Sequence, residues 1–206
     1  MIKIWGRNSS SNVQKVLWLC DELGLPYERV DIGGPFGGTD STAYRALNPN
    51  GLIPTIEDGD FVLWESNPIL RYLHDKYGED RFMSASLESR ADADRWMTWE
   101  NTVLARTVFP VFFQMVRTAP EQRDQEKLAQ DMAVAGRSFA LLEAHLADRP
   151  YLTGEAFSLA DLANGIWCYR WHAMEIDRPD LPNVAAWYRR MTERPAYQTH
   201  VMVEMA

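Results

Sequence analysis

Cysteine is nearly absent. The 206 residues contain two, Cys20 and Cys168, with no Cys-x-x-Cys pair and no Cys/His spacing of a metal site, which argues against a disulfide scaffold or a zinc motif. Each sits in an apolar helical stretch and reads as a small core residue. No apolar run is long enough to cross a bilayer, and the opening residues, with Lys3, Trp5, Arg7 and Asn8 among them, lack the apolar stretch of a signal peptide. A cytoplasmic location is therefore expected. Basic charge is also in deficit: 21 Lys and Arg face 29 Asp and Glu, a net charge of −8. With no local basic stripe to offset it, nucleic acid and anionic membrane surfaces are poor partners.

What is present is a globular balance, 46% hydrophobic and 24% charged residues, enough to bury a core and suited to two unequal domains. A short β-type run around Ile2 and Ile4 ends at Gly6 and the polar cluster Arg7 to Asn12. Val13, Val16, Leu17, Cys20 and Leu23 then mark one face of a helix, stopped by Gly24-Leu25-Pro26, and Tyr27 to Ile32 resumes as a strand. This is a βαβ unit with a parallel pair. The glycine-rich stretch Gly33 to Gly38 lacks the Lys-Ser/Thr ending of a phosphate-binding loop and reads as a mobile loop.

A short helix is expected over Thr42 to Leu47, then a turn into a strand at Asn48 to Thr55. A hairpin at Asp58-Gly59-Asp60 leads to Phe61–Trp64, and a helix opens at Glu65-Ser66-Asn67-Pro68 with Ile69, Leu70, Leu73 and Tyr77 inward. Beyond a polar stretch from Gly78 to Ser86 no alternating strand appears. The rest reads as helices: a long one from about Leu87, expected to kink at Pro110, another from Leu128 to Leu146, and a third opened by a capping box at Ser158 to Asp161. Two shorter helices follow, near 184–192 and 196–203.

Three signatures fall in this frame: Ser9-Ser10-Ser11-Asn12-Val13-Gln14-Lys15-Val16-Leu17-Trp18 at the first helix start, Asn48-Pro49-Asn50-Gly51-Leu52-Ile53-Pro54-Thr55, and Leu63-Trp64-Glu65-Ser66. With Gly154 and the Ser158–Asp161 box they resemble, from end to end, the soluble glutathione S-transferases, and most of all the bacterial serine-bearing members near the theta and beta groups. The resemblance implies an α/β thioredoxin-like domain (βαβ-ββα) over residues 1–78 that binds glutathione, a linker over 79–86, and an all-α helical-bundle domain over 87–206 for the second substrate.

It also implies roles. Ser10 takes the position of the catalytic serine, with Ser11, Asn12 and Ser9 as neighbours able to replace it. Asn12 stands where the family usually has proline. Pro54 is expected to be cis, so that the backbone of Ile53 pairs with the cysteinyl unit of glutathione as an added strand would. Glu65, Ser66 and Asn67 suit the amine and carboxylate of the γ-glutamyl end. Asn50 replaces the Gln of related enzymes at the glycine carboxylate, with Arg7, Lys15 or Arg45 as local cations. Phe36, Arg106, Phe109, Phe113 and Trp171 are candidate lining for an apolar electrophile. Glutathione enters as a substrate, no metal is needed, and a homodimer is the family's usual state. The same scaffold also carries dehalogenase, peroxidase and isomerase activities and non-enzymatic binding proteins.

Overall fold

The computed structural model describes residues 1–83 and 86–205. Ser84 and Ala85 of the expected linker lie outside the described residues, as does Ala206. The chain separates into two compact units, Met1–Asp80 with Ala196–Val203, and Arg81–Pro195 with the last residues.

The first unit follows the order β1 (Ile2–Trp5), α1 (Ser11–Leu23), β2 (Tyr27–Val30), α2 (Thr42–Leu47), β3 (Thr55–Asp58), β4 (Phe61–Trp64) and α3 (Ser66–Tyr77). The sheet runs β2-β1-β3-β4, with β1–β2 parallel and the two other pairs antiparallel, the βαβ-ββα arrangement expected. Apolar residues at helical spacing on α1 and α3 (Val16, Leu17, Ile69, Leu70, Leu73) meet Ile4 and Ile56 of the sheet, all of them buried. Asp58, at the hairpin, accepts hydrogen bonds from Lys76 Nζ (2.7 Å), Tyr72 Oη (2.8 Å) and Tyr77 Oη (2.7 Å), which fix the hairpin to α3. Tyr77, expected to face the core, is half-buried because its hydroxyl turns to this carboxylate.

The last segment is a departure. Residues 196–203 were expected within the helical domain, yet they join the first unit. Tyr197 is fully buried and meets Trp18 edge-on at 4.7 Å, and His200 Nε2 lies 2.6 Å from Asp21 Oδ2. Tyr197 and Val201, one turn apart and both buried, form the apolar face that makes this docking favourable.

The second unit contains α4 (Leu87–Trp99), α5 (Ala105–Phe112), α6 (Gln125–His145), α7 (Leu159–Ala173) and α8 (Pro182–Thr192); α9 (Pro195–His200) then leads into the first unit. The long helix is not interrupted at Pro110, which lies inside α5; its irregular turns flank that element as π-helical segments, Glu100–Leu104 and Phe113–Arg117. The core is organised around Asp161. Its carboxylate, fully buried, accepts from Leu152 N (2.8 Å), Ser158 N (2.9 Å), Ser158 Oγ (2.7 Å) and Trp187 Nε1 (2.9 Å). The capping box read from Ser158 to Asp161 is thus present and also ties α8 to α7.

Candidate functional site

The first turn of α1 and the loop before β3 approach each other across Gly6. Its φ of +151° and its surroundings exclude a side chain: a Cβ there would come within 2.4 Å of Val13 Cγ2 and 3.3 Å of Ile53 Cβ. The Ile53–Pro54 peptide is cis. Among the described residues, neither the N–H nor the C=O of Ile53 is hydrogen bonded.

That loop is braced by residues whose sequence pattern indicates only a turn and a short helix. Tyr44 Oη donates to Leu52 O (2.6 Å) and lies 2.9 Å from Thr55 Oγ1, and Asn48 Nδ2 donates to the same two oxygens at 2.9 and 3.2 Å. Tyr44, Asn48 and Thr55 are all buried, and burial pushes the Tyr44 hydroxyl pKa up. Asn48 Oδ1 in turn accepts from Asn50 N (3.0 Å) and Asn50 Nδ2 (3.1 Å). Asn50 is exposed, with its amide nitrogen donating to Asn48. The signal for this brace was the Asn48-Pro49-Asn50 run itself.

The start of α3 joins the start of α1: Ser66 Oγ donates to Asn12 Oδ1 at 3.2 Å, linking residues 54 positions apart. Glu65, the residue before α3, has a φ of 74°, a left-handed conformation costly for a side-chain-bearing residue, and its side chain makes no capping bond. Ser66 and Asn67 behind it are buried. Ser10 precedes α1 in extended conformation, and its hydroxyl likewise makes no capping bond, although its backbone accepts from Gln14 N at 2.8 Å. Ser9 Oγ accepts from Arg7 Nη1 at 2.7 Å, and the Arg7 side chain lies so close to Gly34, with φ +58°, that a Cβ there would be 2.6 Å from Arg7 Nε. Ser9, Ser10, Ser11 and Asn12 are all partly exposed.

Of the cations considered, Lys15 is fully buried and is thereby removed, while Arg45 is exposed and donates to Pro49 O at 3.3 Å. Neither protein thiol is available for chemistry: both cysteines are fully buried, and burial, with Asp21 adding to it, pushes the Cys20 pKa to about 12. Burial also raises that of Cys168.

The N-terminal domain model of the glutathione S-transferases matches residues 9–76 and the C-terminal domain model matches residues 104–195. The glutathione S-transferase GstB of Escherichia coli (strain K12) is 39% identical, with 100% of both chains covered. The chain belongs to the glutathione S-transferase family. Glutathione S-transferase 3 of Zea mays is 34% identical, covering 97% of this chain and 93% of that one. The crystal structure of the theta class glutathione S-transferase from Xanthomonas axonopodis pv. citri with glutathione bound superposes with a TM-score of 0.95 at 44% identity, covering 100% of this chain and 99% of that one.

The remaining expected residues of this glutathione S-transferase fall in different settings. Phe36 is exposed at the tip of the Gly34–Phe36 turn of the first unit. In the second unit Arg106, Phe109 and Phe113 are exposed on one stripe of the α5 region at i, i+3 and i+7. Trp171 differs: it is only 2% exposed and stacks on Phe139 at 4.8 Å and 22°, so it is a core residue of α7 and not part of that exposed stripe. Among the described residues no group of three or more His, Cys, Asp or Glu is placed to hold a metal. No helix is long and apolar enough to cross a membrane.

Proposed function

We propose that this transferase conjugates the thiolate of glutathione to small electrophiles, with α1 receiving the sulfur and α3 the γ-glutamyl carboxylate. The observation that carries this reading is that α1 and α3, tied together by Ser66 and Asn12, both begin without a side-chain cap. Helix N-termini present free N–H groups and a partial positive charge to an anion. The unused N–H and C=O of Ile53 supply the strand-like pairing between these two ends.

The energetics are modest. A thiol titrates near ~8.5 when free, so a thiolate at neutral pH needs a drop of about 2 units, roughly 2.7 kcal/mol. One hydrogen bond to a charged group contributes ~1.5–3 kcal/mol and a helix N-terminus ~0.3–1 kcal/mol. Ser10 is the first choice for that donor, with Ser11 and Asn12 next and Ser9 beside them, held by Arg7. The serine acts as a donor and not as a base, since its hydroxyl does not titrate in this range. Ser66 and Asn67 hold the carboxylate, Glu65 the amine, and Asn50 the glycine end. On the second unit Arg106, Phe109 and Phe113 share one exposed stripe that suits an apolar electrophile, with Arg106 to polarise its leaving group, and Phe36 is exposed on the first unit. No metal enters the reaction.

The protein is further read as a cytoplasmic homodimer. A two-fold dimer is the state usual in the family. The test of function is direct. Purified protein is expected to be retained on immobilised glutathione and to conjugate 1-chloro-2,4-dinitrobenzene. Retention without turnover across chloro-nitroaromatic and haloacetyl substrates would instead identify a binding protein.

A further inference from the structure

The peptide unit between Leu52 and Ile53 is clamped at its oxygen by side chains to which the proposed mechanism gives no part. Leu52 O accepts from Tyr44 Oη at 2.6 Å and from Asn48 Nδ2 at 2.9 Å, while the Leu52 side chain is exposed. Proton counting fixes the direction of each bond. The Tyr44 hydroxyl has one proton, and it goes to Leu52 O. At the 2.9 Å contact between the two hydroxyls Thr55 Oγ1 is therefore the donor and Tyr44 Oη the acceptor. Asn48 Nδ2 spends its two protons on Leu52 O and on Thr55 Oγ1, the latter at 3.2 Å. The chain Thr55 to Tyr44 to Leu52 and the bond from Asn48 end on one oxygen, and in a buried run each bond polarises the next.

The clamp is held firmly. Tyr44 N donates to Ser41 Oγ at 3.2 Å, and the Tyr44 ring lies 6.0 Å from that of Trp5 on β1. Asn48 N donates to Tyr44 O at 2.9 Å, so the short helix α2 presents both clamp residues. The Ile53 side chain is fixed in turn: a Cβ added at Gly6 would lie 3.3 Å from Ile53 Cβ, and one at Gly33 would lie 3.1 Å from Ile53 Cδ1.

The Leu52–Ile53 peptide is trans, unlike the one that follows it, and in a trans peptide the N–H points away from the C=O. Holding Leu52 O toward Tyr44 and Asn48 thus turns Ile53 N–H in the opposite direction. Density drawn onto that oxygen also makes the N–H a better donor. We infer that Tyr44, with Thr55 behind it, is a positioning residue for glutathione, its hydroxyl aiming and strengthening Ile53 N–H as the donor to the cysteinyl carbonyl. Tyr44, 2% exposed, is itself too buried to meet the ligand. This role rests on the glutathione site proposed above and adds to it a group that acts through another.

Tyr44→Phe keeps the ring beside Trp5 and the Asn48 bond to Leu52 and removes the hydroxyl alone. KM for glutathione is expected to rise about fivefold, the share of one neutral hydrogen bond, with kcat nearly unchanged, since the contact is common to ground and transition states. Thr55→Val, which removes the donor behind Tyr44, is expected to raise it about twofold. The readout that a merely structural brace would not move compares two ligands by calorimetry: S-methylglutathione, and its analogue with an (E)-alkene in place of the cysteinyl–glycyl peptide, which offers Ile53 N–H no carbonyl. Tyr44→Phe is expected to weaken the first about fivefold and to leave the second at its wild-type affinity, the non-additivity of two changes to one contact. Thr55→Val repeats the pattern at smaller size and carries the comparison if Tyr44→Phe does not fold. Equal weakening of both ligands overturns the inference, as does wild-type affinity for S-methylglutathione in the folded variants; both results leave the glutathione reading standing. Failure of the wild-type protein to bind S-methylglutathione would overturn that reading and this inference together.

Discussion

Among the described residues, the starts of α1–α4 and α6–α8 fall into two groups. Five are closed by the protein itself: Ser41 accepts from Tyr44 N at α2, Ser86 from Ser89 N at α4, Asp124 from Lys127 N at α6, and the Ser158–Asp161 box serves α7. Even α8, which begins with Pro182, has its exposed N–H groups taken by Glu143, whose two oxygens accept from Asn183 N (3.1 Å) and Val184 N (2.9 Å). At α1 and α3 the residues in the capping position are a serine and a glutamate, both chemically able to cap, and neither does. The same chemical element therefore has two uses: where the free N–H groups meet protein they stabilise the fold, and where they stay open they can meet an anionic ligand.

The contrast can be broken most severely at its closed end. Replacing Asp161 with Ala leaves Leu152 N–H and Trp187 Nε1 buried without an acceptor, and the expected loss is about 3 kcal/mol or more, read as a fall in the urea midpoint with unchanged m-value. A loss below about 1 kcal/mol would mean that the carboxylate is no organising centre. At the open end the effect should be on binding. Ser66→Ala removes the hydroxyl whose one proton goes to Asn12 in the free protein and would turn to the carboxylate in the complex, and KM for glutathione is expected to rise about tenfold with kcat little changed, since this interaction is the same in ground and transition states. A drop in kcat with KM unaltered would place Ser66 in the chemistry instead.

Much of this was legible from residue types. Apolar spacing on α1, α3, α6 and α7 set the helices, Asp58-Gly59-Asp60 set the hairpin, and the Ser158–Asp161 spacing set a cap. What spacing does not encode is the partner. Tyr197 and Val201 display an apolar face with no mark of which unit it will cover, and Trp171 is equally plausible on a substrate surface or in a core until Phe139 is seen to stack on it. The π-helical turns around α5 leave no mark in the apolar spacing, and Glu143 caps a helix 40 residues away. The conformation of Glu65 was hidden as well, because a glutamate before a helix reads as an ordinary capping residue.

Two smaller effects sharpen the comparison. Asp58 is an acceptor committed to structure alone. Burial opposes its ionisation, but the hydrogen bonds from Lys76, Tyr77 and Tyr72 outweigh it, so its pKa is below the ordinary carboxylate range. The folded state thus binds this proton less readily than the unfolded chain. The stabilisation is present above the unfolded carboxylate pKa and fades as pH falls through it toward the folded value. Asp58→Asn should cost about 1 kcal/mol at neutral pH, and the gap to wild type should close on acidification; a gap independent of pH would contradict this assignment. Glu65→Gly relieves a left-handed conformation and should raise stability by up to about 1 kcal/mol while weakening glutathione binding, the opposite signs expected of strain kept for a ligand. Weaker stability in that variant would show that Glu65 supports the fold.

The most direct measurement is a titration of enzyme-bound glutathione, following thiolate absorbance against pH, in wild type and in Ser10→Ala, paired with urea unfolding of the two proteins. An open helix start predicts that the bound thiol's pKa rises by about 1–2 units, the share of one charged hydrogen bond, while the unfolding midpoint stays put. An unchanged thiol titration together with the loss of about 1 kcal/mol typical of a deleted capping serine would contradict it, because Ser10 would then be closing α1 as its counterparts close the other helices.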